Sequence, residues 1–442
     1  MIESLSSLVE LMEAHGARRI YAKKLSPNDN SKNQVYLGGD FSALNIIPHH
    51  EIRNDGSLTA GSIRDRGKAL VTFFWVDEEG RHKAPGAQLI LYPKYPEVRM
   101  SGFLKGCHRP PRDVMTVRDE GRVLLLGVTN SNEVLGYAAG NQEPVAREVC
   151  GLEEIRTIGV FVDLTSMVCR DDTSLLLLCR LAEIYRKGWI PSRKIGADGN
   201  VYPYRAVNGG GYTLEAELGV APNGYSEPDY LGWEIKQFGV NDFEKCRPRS
   251  PITLMTPEPN AGLYKDEGVA EFITRYGYPD KKGIPDRRNF GGIYECGGDY
   301  NVNTSLRLDV VGYDKSGGKI VDMNGGVVLF DRKGAVAAQW HFREMMNHWT
   351  RKHAQAAYVP SLSRKPPPEY WYGPSVLLCE GADFGLFLKA VVSGAVYYDP
   401  GIKMEKLFSS NPAIKRRSQF RVKLSSLPEL YIKSEWSRPC VP

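Results

Sequence analysis

The chain has 442 residues, 42% hydrophobic and 25% charged, with 57 Lys and Arg against 52 Asp and Glu for a formal net charge of +5. This is more than one typical domain needs, and the composition is that of a soluble globular protein with ample material for a core. No apolar run approaches the ~20 residues of a membrane-spanning helix, and the mild positive charge is compatible with nucleic acid without requiring it. Eight cysteines are scattered with no CxxC pair, which points to reduced thiols rather than a zinc site. Met1-Ile2-Glu3-Ser4 does not read as a signal peptide, so the expected compartment is the cytoplasm.

From the N-terminus, Ile2, Leu5, Leu8, Val9, Leu11 and Met12 fall at helical spacing and predict a helix ending near Gly16. Strands dominate from there to about residue 165: 35–37, 69–75, 88–92, 123–128 and 157–164, separated by turn clusters such as Asn54-Asp55-Gly56. Residues 1–170 therefore read as a β-rich α+β domain with an accessory DNA-binding, sensing or regulatory role. In its segment 91–106, aromatics interleave with Lys94, Arg99 and Lys105, followed by His108-Arg109. Rings for stacking and cations for phosphates would suit a nucleic-acid surface; the other reading is a strand and loop with solvated cations.

Residues 171–442 form the second expected domain. Asp171-Asp172-Thr173-Ser174 supplies N-cap candidates for a helix through Leu175, Leu178, Leu181, Ala182 and Tyr185 that Gly188 ends. Gly209-Gly210-Gly211 has no GK[ST] after it and reads as a flexible turn before a helix, Leu214-Glu215-Ala216-Glu217-Leu218-Gly219. Pro228-Asp229 then precedes Glu234-Ile235-Lys236 by four residues, a PD-x4-ExK pattern. In a strand, Trp233 and Ile235 share one face and Glu234 and Lys236 the other. The turn Tyr230-Leu231-Gly232 lets Asp229 fold back beside Glu234. Two carboxylates suit a hard cation such as Mg2+, which lowers the pKa of a bound water, and Lys236 would orient that water and stabilise developing charge. The bare pattern also fits a surface strand with a Glu–Lys pair. Helical geometry does not choose between Glu215 and Glu217 as the upstream acid.

Beyond the motif come Lys245, Arg247 and Arg249 in a loop, then strands at 252–255, 305–311 and 326–330. Residues 335–353 predict one long helix with Trp340, Met345 and Trp349 on one side and His341, His348, Arg351, Lys352 and His353 on or near its end. A Pro-rich loop is expected over 361–374, and a charged edge strand over 419–424 with Arg421 and Lys423 on one face. Lys415 to Lys423 is the most basic segment.

In order, Leu-Glu-Ala-Glu-Leu-Gly (214–219), Glu-Pro-Asp (227–229) and Leu-Gly-Trp-Glu-Ile-Lys (231–236) resemble the MvaI/BcnI family of restriction endonucleases and, more distantly, the mismatch-repair nickase MutH. Segments 186–193, 252–259 and 348–353 also look like family segments, so the resemblance covers about three-fifths of the chain. It implies an α/β fold with a PD-(D/E)xK, restriction-endonuclease-like mixed-sheet core. It implies Mg2+ (Mn2+ as a substitute) and sequence-specific cleavage of double-stranded DNA by a monomer, alongside a companion DNA methyltransferase and no membrane. By motif position the catalytic residues fall on Asp229, Glu234 and Lys236 with Glu215 as the helix acid. The metal would be held by Asp229, Glu234 and the Ile235 carbonyl. Arg193, Lys245, Arg247, His348, Arg351, His353, Lys415, Arg416 and Arg417 are the expected DNA contacts. The alternatives are a MutH-like nickase gated by a partner or ligand, and a DNA-binding protein without turnover.

Overall fold

A computed structural model of the chain describes residues 2–27, 34–55, 57–59, 62–63, 66–92, 97–152, 156–168, 173–206, 208–220, 229–409 and 411–438. It divides into two compact units, Met1–Asp172 and Thr173–Pro442.

In the first unit, the helix Leu5–Ala14 is capped by Ser4, whose hydroxyl accepts the Ser7 N–H while Ser7 returns a bond to the Ser4 N–H. Its apolar stripe, Leu5, Leu8, Val9 and Met12, packs on a seven-stranded sheet. That sheet runs Thr157–Ile158, Phe161–Asp163, Ala17–Lys24, Val123–Thr129, Val134–Ala139, Phe73–Asp77, Gly80–Lys83. Every residue of Val123–Thr129 is buried, which explains why it reads as a continuous apolar run. A five-stranded sheet contains residues 91–92 and 97–101 of the basic, aromatic segment. Lys94 lies outside the described residues. Arg99 pairs with Glu97 at 2.9 Å and Arg109 pairs with Glu79, so two of the expected phosphate-binding cations already have carboxylate partners.

In the second unit, Gln355–Arg364 is the hub of a mixed sheet. It pairs in parallel with the motif strand Glu234–Gly239, and antiparallel with Glu369–Tyr372 and Val376–Ala382. Alternation sorts its two faces. Ala357 and Val359 join Trp233 and Ile235 in a core closed by Leu177 and Leu181 of the helix Thr173–Arg186 and by Leu214 and Leu218 of the helix Gly209–Leu218. Tyr358 faces the other way, where its hydroxyl meets that of Tyr431 at 2.8 Å and Trp349 packs against Phe387 at a tilt.

Four local expectations are corrected. Gly209 and Gly210 are the first turn of the helix that carries Glu215, not a flexible turn before it. A Cβ on Gly209 would meet the Ser192 hydroxyl at 2.5 Å, and one on Gly210 would meet the Gln237 amide at 2.7 Å, so the glycines let the helix approach the motif strand. Residues 335–353 are not one helix: Val336–His341 is a strand paired with Gly326–Asp331, and the helix is Phe342–His353. Trp340 is buried in either case, so its apolar character did not discriminate. The Pro-rich stretch is a hairpin with Pro366, Pro367 and Pro368 in its turn, while Tyr370 and Tyr372 alternate into the core. Phe420–Val422 is the central strand of a three-stranded sheet, not an edge, and Arg421 is held by Asp399 at 2.7 Å.

Candidate active site

The turn Tyr230-Leu231-Gly232-Trp233 places the motif acids together. Tyr230 N–H donates to the Trp233 carbonyl at 3.0 Å and Trp233 N–H to that of Tyr230 at 2.8 Å. Leu231 and Gly232 have φ of 50° and 84°, the two positive angles of a tight hairpin turn, and glycine supplies only one of them without strain. The turn carries Asp229 back along the motif strand, where its Oδ2 accepts the Ile235 N–H at 2.8 Å. Glu227 and Pro228 lie outside the described residues.

Glu234 is 2% exposed, and its Oε1 accepts from Lys236 Nζ at 2.6 Å. Burial pushes the Asp229 carboxyl up and the Glu234 charge pushes it further; the Ile235 N–H and Lys236 offset part of this, and Glu215 adds a smaller upward push. The result is about 7, far above an ordinary aspartate. Two acids are thus crowded in a desolvated place with one ammonium bonded to Glu234.

The two helix acids separate cleanly. Glu217 is buried and accepts from Lys187 Nζ at 2.7 Å and from the Arg193 guanidinium. Burial raises its carboxyl, and these two donors more than reverse that, leaving it below the usual glutamate range. Glu215 is half-buried and close enough for its charge to act on Asp229. No sequence signal marks Glu217 as the clamped acid, because its partners lie 24 and 30 residues away.

The donor set fits a small hard cation. Among the described residues no group of three or more His, Cys, Asp or Glu side chains is placed to hold a metal ion. A pair of carboxylates with a backbone carbonyl leaves the remaining positions to water and phosphate, the way Mg2+ is bound. Lys236 alone does not balance the acids, which is the electrostatic condition for a cation.

The MvaI/BcnI restriction endonuclease family model matches residues 178–431, more than half of the chain. The chain belongs to the MvaI/BcnI restriction endonuclease family. It is therefore a site-specific deoxyribonuclease. Among solved structures it is similar to restriction endonuclease MvaI with its cognate DNA substrate (18% identity, 61% of this chain and 100% of that one, TM-score 0.43). It is also similar to MvaI without DNA (18% identity, 60% and 98%, TM-score 0.32). No curated protein matches the chain.

The nuclease scatters the other expected DNA contacts. Lys245, Arg247, His348, Lys415, Arg416 and Arg417 are exposed. Arg193 is occupied by Glu217, and the Arg351 side chain lies outside the described residues. His353 is 1% exposed, stacked on Trp349 at 4.3 Å with Nε2 3.1 Å from the Leu254 carbonyl, which removes it from the candidate DNA contacts. The described cysteines are free thiols, and no helix among the described residues is long and apolar enough to cross a membrane.

Proposed function

We propose that Thr173–Pro442 hydrolyses phosphodiester bonds of double-stranded DNA with Mg2+ held by Asp229, Glu234 and the Ile235 carbonyl, Mn2+ substituting. When bound, the cation polarises the phosphate and supplies a water of lowered pKa. The chain does the rest. The Ile235 N–H fixes Asp229 Oδ2, so one carboxylate oxygen is oriented before substrate arrives. The Lys236 ammonium, 2.6 Å from Glu234, sits where it can align the attacking water and offset charge developing on the phosphoryl oxygens. Glu215 adds an outer contact from its helix. In-line attack leaves a 5′-phosphate and a 3′-hydroxyl. As a monomer, the nuclease would cut one strand and reorient for the second.

The observation that carries this proposal is the convergence of Asp229 and Glu234 in a buried place with a single lysine. The test is a digest of unmethylated phage DNA by the wild type and Lys236→Ala, with and without Mg2+. Discrete fragments that require both Mg2+ and Lys236 are expected, with a rate loss on the order of 10²–10³ for the variant, the range for removing one charge-stabilising group. Full cutting by Lys236→Ala, or by the wild type in EDTA, overturns the assignment.

A further inference from the structure

The four-stranded sheet Tyr278–Pro279, Arg287–Gly291, Gly401–Glu405, Ala413–Lys415 carries a basic face that the site above does not use. Inward positions of its third strand, Ile402 and Met404, are buried, and Lys403 points out. Lys403 stands directly opposite Lys415 on one neighbour and Asn289 on the other. Like charges opposite each other weaken a sheet. Little relieves this pair: Lys415 is 74% exposed and 3.9 Å from Glu405, whose carboxylate already takes Arg287 at 2.5 Å. Among the described residues Lys403 has no carboxylate partner.

At one end of the same sheet two turns meet. Arg287 is the register partner of Glu405, so the turn entering Arg287 and the loop leaving Glu405 emerge side by side. They are tied together: Lys406 N–H donates to the Asp286 carbonyl at 3.0 Å and Phe408 N–H to Asp286 Oδ1 at 3.4 Å. Lys406 takes a φ of +59°, and Ser409 N–H closes back on its carbonyl at 3.0 Å. This tied loop holds Phe408 86% exposed, with Ile284 of the adjoining turn 40% exposed. Lys281 and Lys282 flank the same turn. A large apolar ring held out by hydrogen bonds, next to a sheet face that carries Lys403 opposite Lys415, suits an occupant that is anionic outside and apolar within.

We propose that this tip and face are a DNA-contact element of the nuclease: Lys403 and Lys415 lie on backbone phosphates and Phe408 enters a groove against the bases. The charge complementarity selects duplex DNA, and apolar side chains placed against base steps are an established way to hold a duplex. The inference rests on DNA being the substrate and adds to it a contact element outside the catalytic sheet.

The test is equilibrium binding of a 24-base-pair duplex of random sequence to the full chain in EDTA, read by fluorescence anisotropy across a salt series. A gel confirms that the duplex stays intact. Without cation, the readout does not depend on whether Asp229, Glu234 and Lys236 hydrolyse DNA. Lys403→Gln with Lys415→Gln should reduce the slope of log affinity against log salt by about 1.8, two phosphate contacts at about 0.9 each. Phe408→Ala should leave that slope unchanged and weaken binding about tenfold, within the range for an aromatic ring on a base. All three positions are on the surface, so unchanged thermal unfolding is the folding control. An unchanged slope in the lysine variant with unchanged affinity in Phe408→Ala overturns the proposal, as does a wild type that binds no duplex. It is equally overturned if the wild type self-associates through Phe408 while DNA binding ignores it, since the tip would then dock a second copy.

Discussion

Glu215 and Glu217 sit two residues apart on one helix, and exchanging each for glutamine should produce opposite phenotypes. Glu217 is buried and its carboxylate takes two charged donors, Lys187 at 2.7 Å and Arg193. Removing one partner of a fully buried pair costs about 3–5 kcal/mol. Here the cations are 45% and 39% exposed, so both recover hydration when the carboxylate is lost, and the amide still accepts one bond. The discounted cost is about 2 kcal/mol, nearer the value of one charge-assisted hydrogen bond. For a unit of this size that lowers the melting temperature by about 4–8 °C. The effect has a definite pH sign. The folded Glu217 carboxyl lies below its unfolded value, so its contribution is complete above the unfolded value of about 4.3 and is lost as pH falls through the folded value. The gap between wild type and Glu217→Gln should be full at neutral pH and close as pH falls through the folded carboxyl's value. Glu215→Gln should cost less stability than Glu217→Gln and lower cleavage by about 10–100-fold, the range for losing an outer contact of a metal site. Thermal unfolding followed by tryptophan fluorescence, with plasmid cleavage in Mg2+, reads both. A Glu217→Gln protein that melts normally and does not cut, beside an active Glu215→Gln, would refute the assignment of clamp and outer acid.

Two further perturbations test the scaffold. Gly210→Ala places a methyl 2.7 Å from the Gln237 amide and 3.1 Å from the Tyr370 ring, so Gln237 must leave its bond to Ser361 or the helix must shift off the motif strand. A loss of about 1–3 kcal/mol is expected in urea unfolding, in line with overpacking elsewhere, and an unchanged midpoint would mean the helix has slack. In the first unit, burial raises the Asp55 carboxyl, but bonds from Lys68, Arg66 and Ser57 outweigh it and hold the group well below the aspartate range. Asp55→Asn should therefore destabilise at neutral pH and converge with wild type as pH falls below the unfolded carboxyl value, as seen by thermal unfolding at a series of pH values. A constant difference across pH would show that the charge is not what Arg66 and Lys68 recognise.

The motif strand was legible because its information is local. Six residues with period two fix which side Glu234 and Lys236 share, and a Leu-Gly turn fixes how Asp229 returns. What was not legible depends on partners far along the chain. Whether Glu215 or Glu217 is the clamped acid is decided by Lys187 and Arg193. Whether residues 336–341 are helix or strand is decided by Gly326–Asp331, which offers them a ladder. His353 reads as a surface cation at a helix end until Trp349 and the Leu254 carbonyl enclose it.

The same distinction bears on the basic tail. Counting charge along 415–423 treats every cation as equally available, but the fold distributes them unequally. Arg421 is consumed by Asp399 in the middle of a sheet. Lys415 projects outward opposite Lys403, twelve residues earlier, which carries no mark of its own in the sequence. Availability to a phosphate is thus a property of the folded surroundings rather than of local charge density. A cation held by a nearby acid, as Arg421 is by Asp399, is already neutralised, while one facing a like charge leaves the sheet strained until an anion arrives. By that criterion the face bearing Lys403 and Lys415, with Phe408 at its tip, outranks the arginine-rich run that composition alone selects.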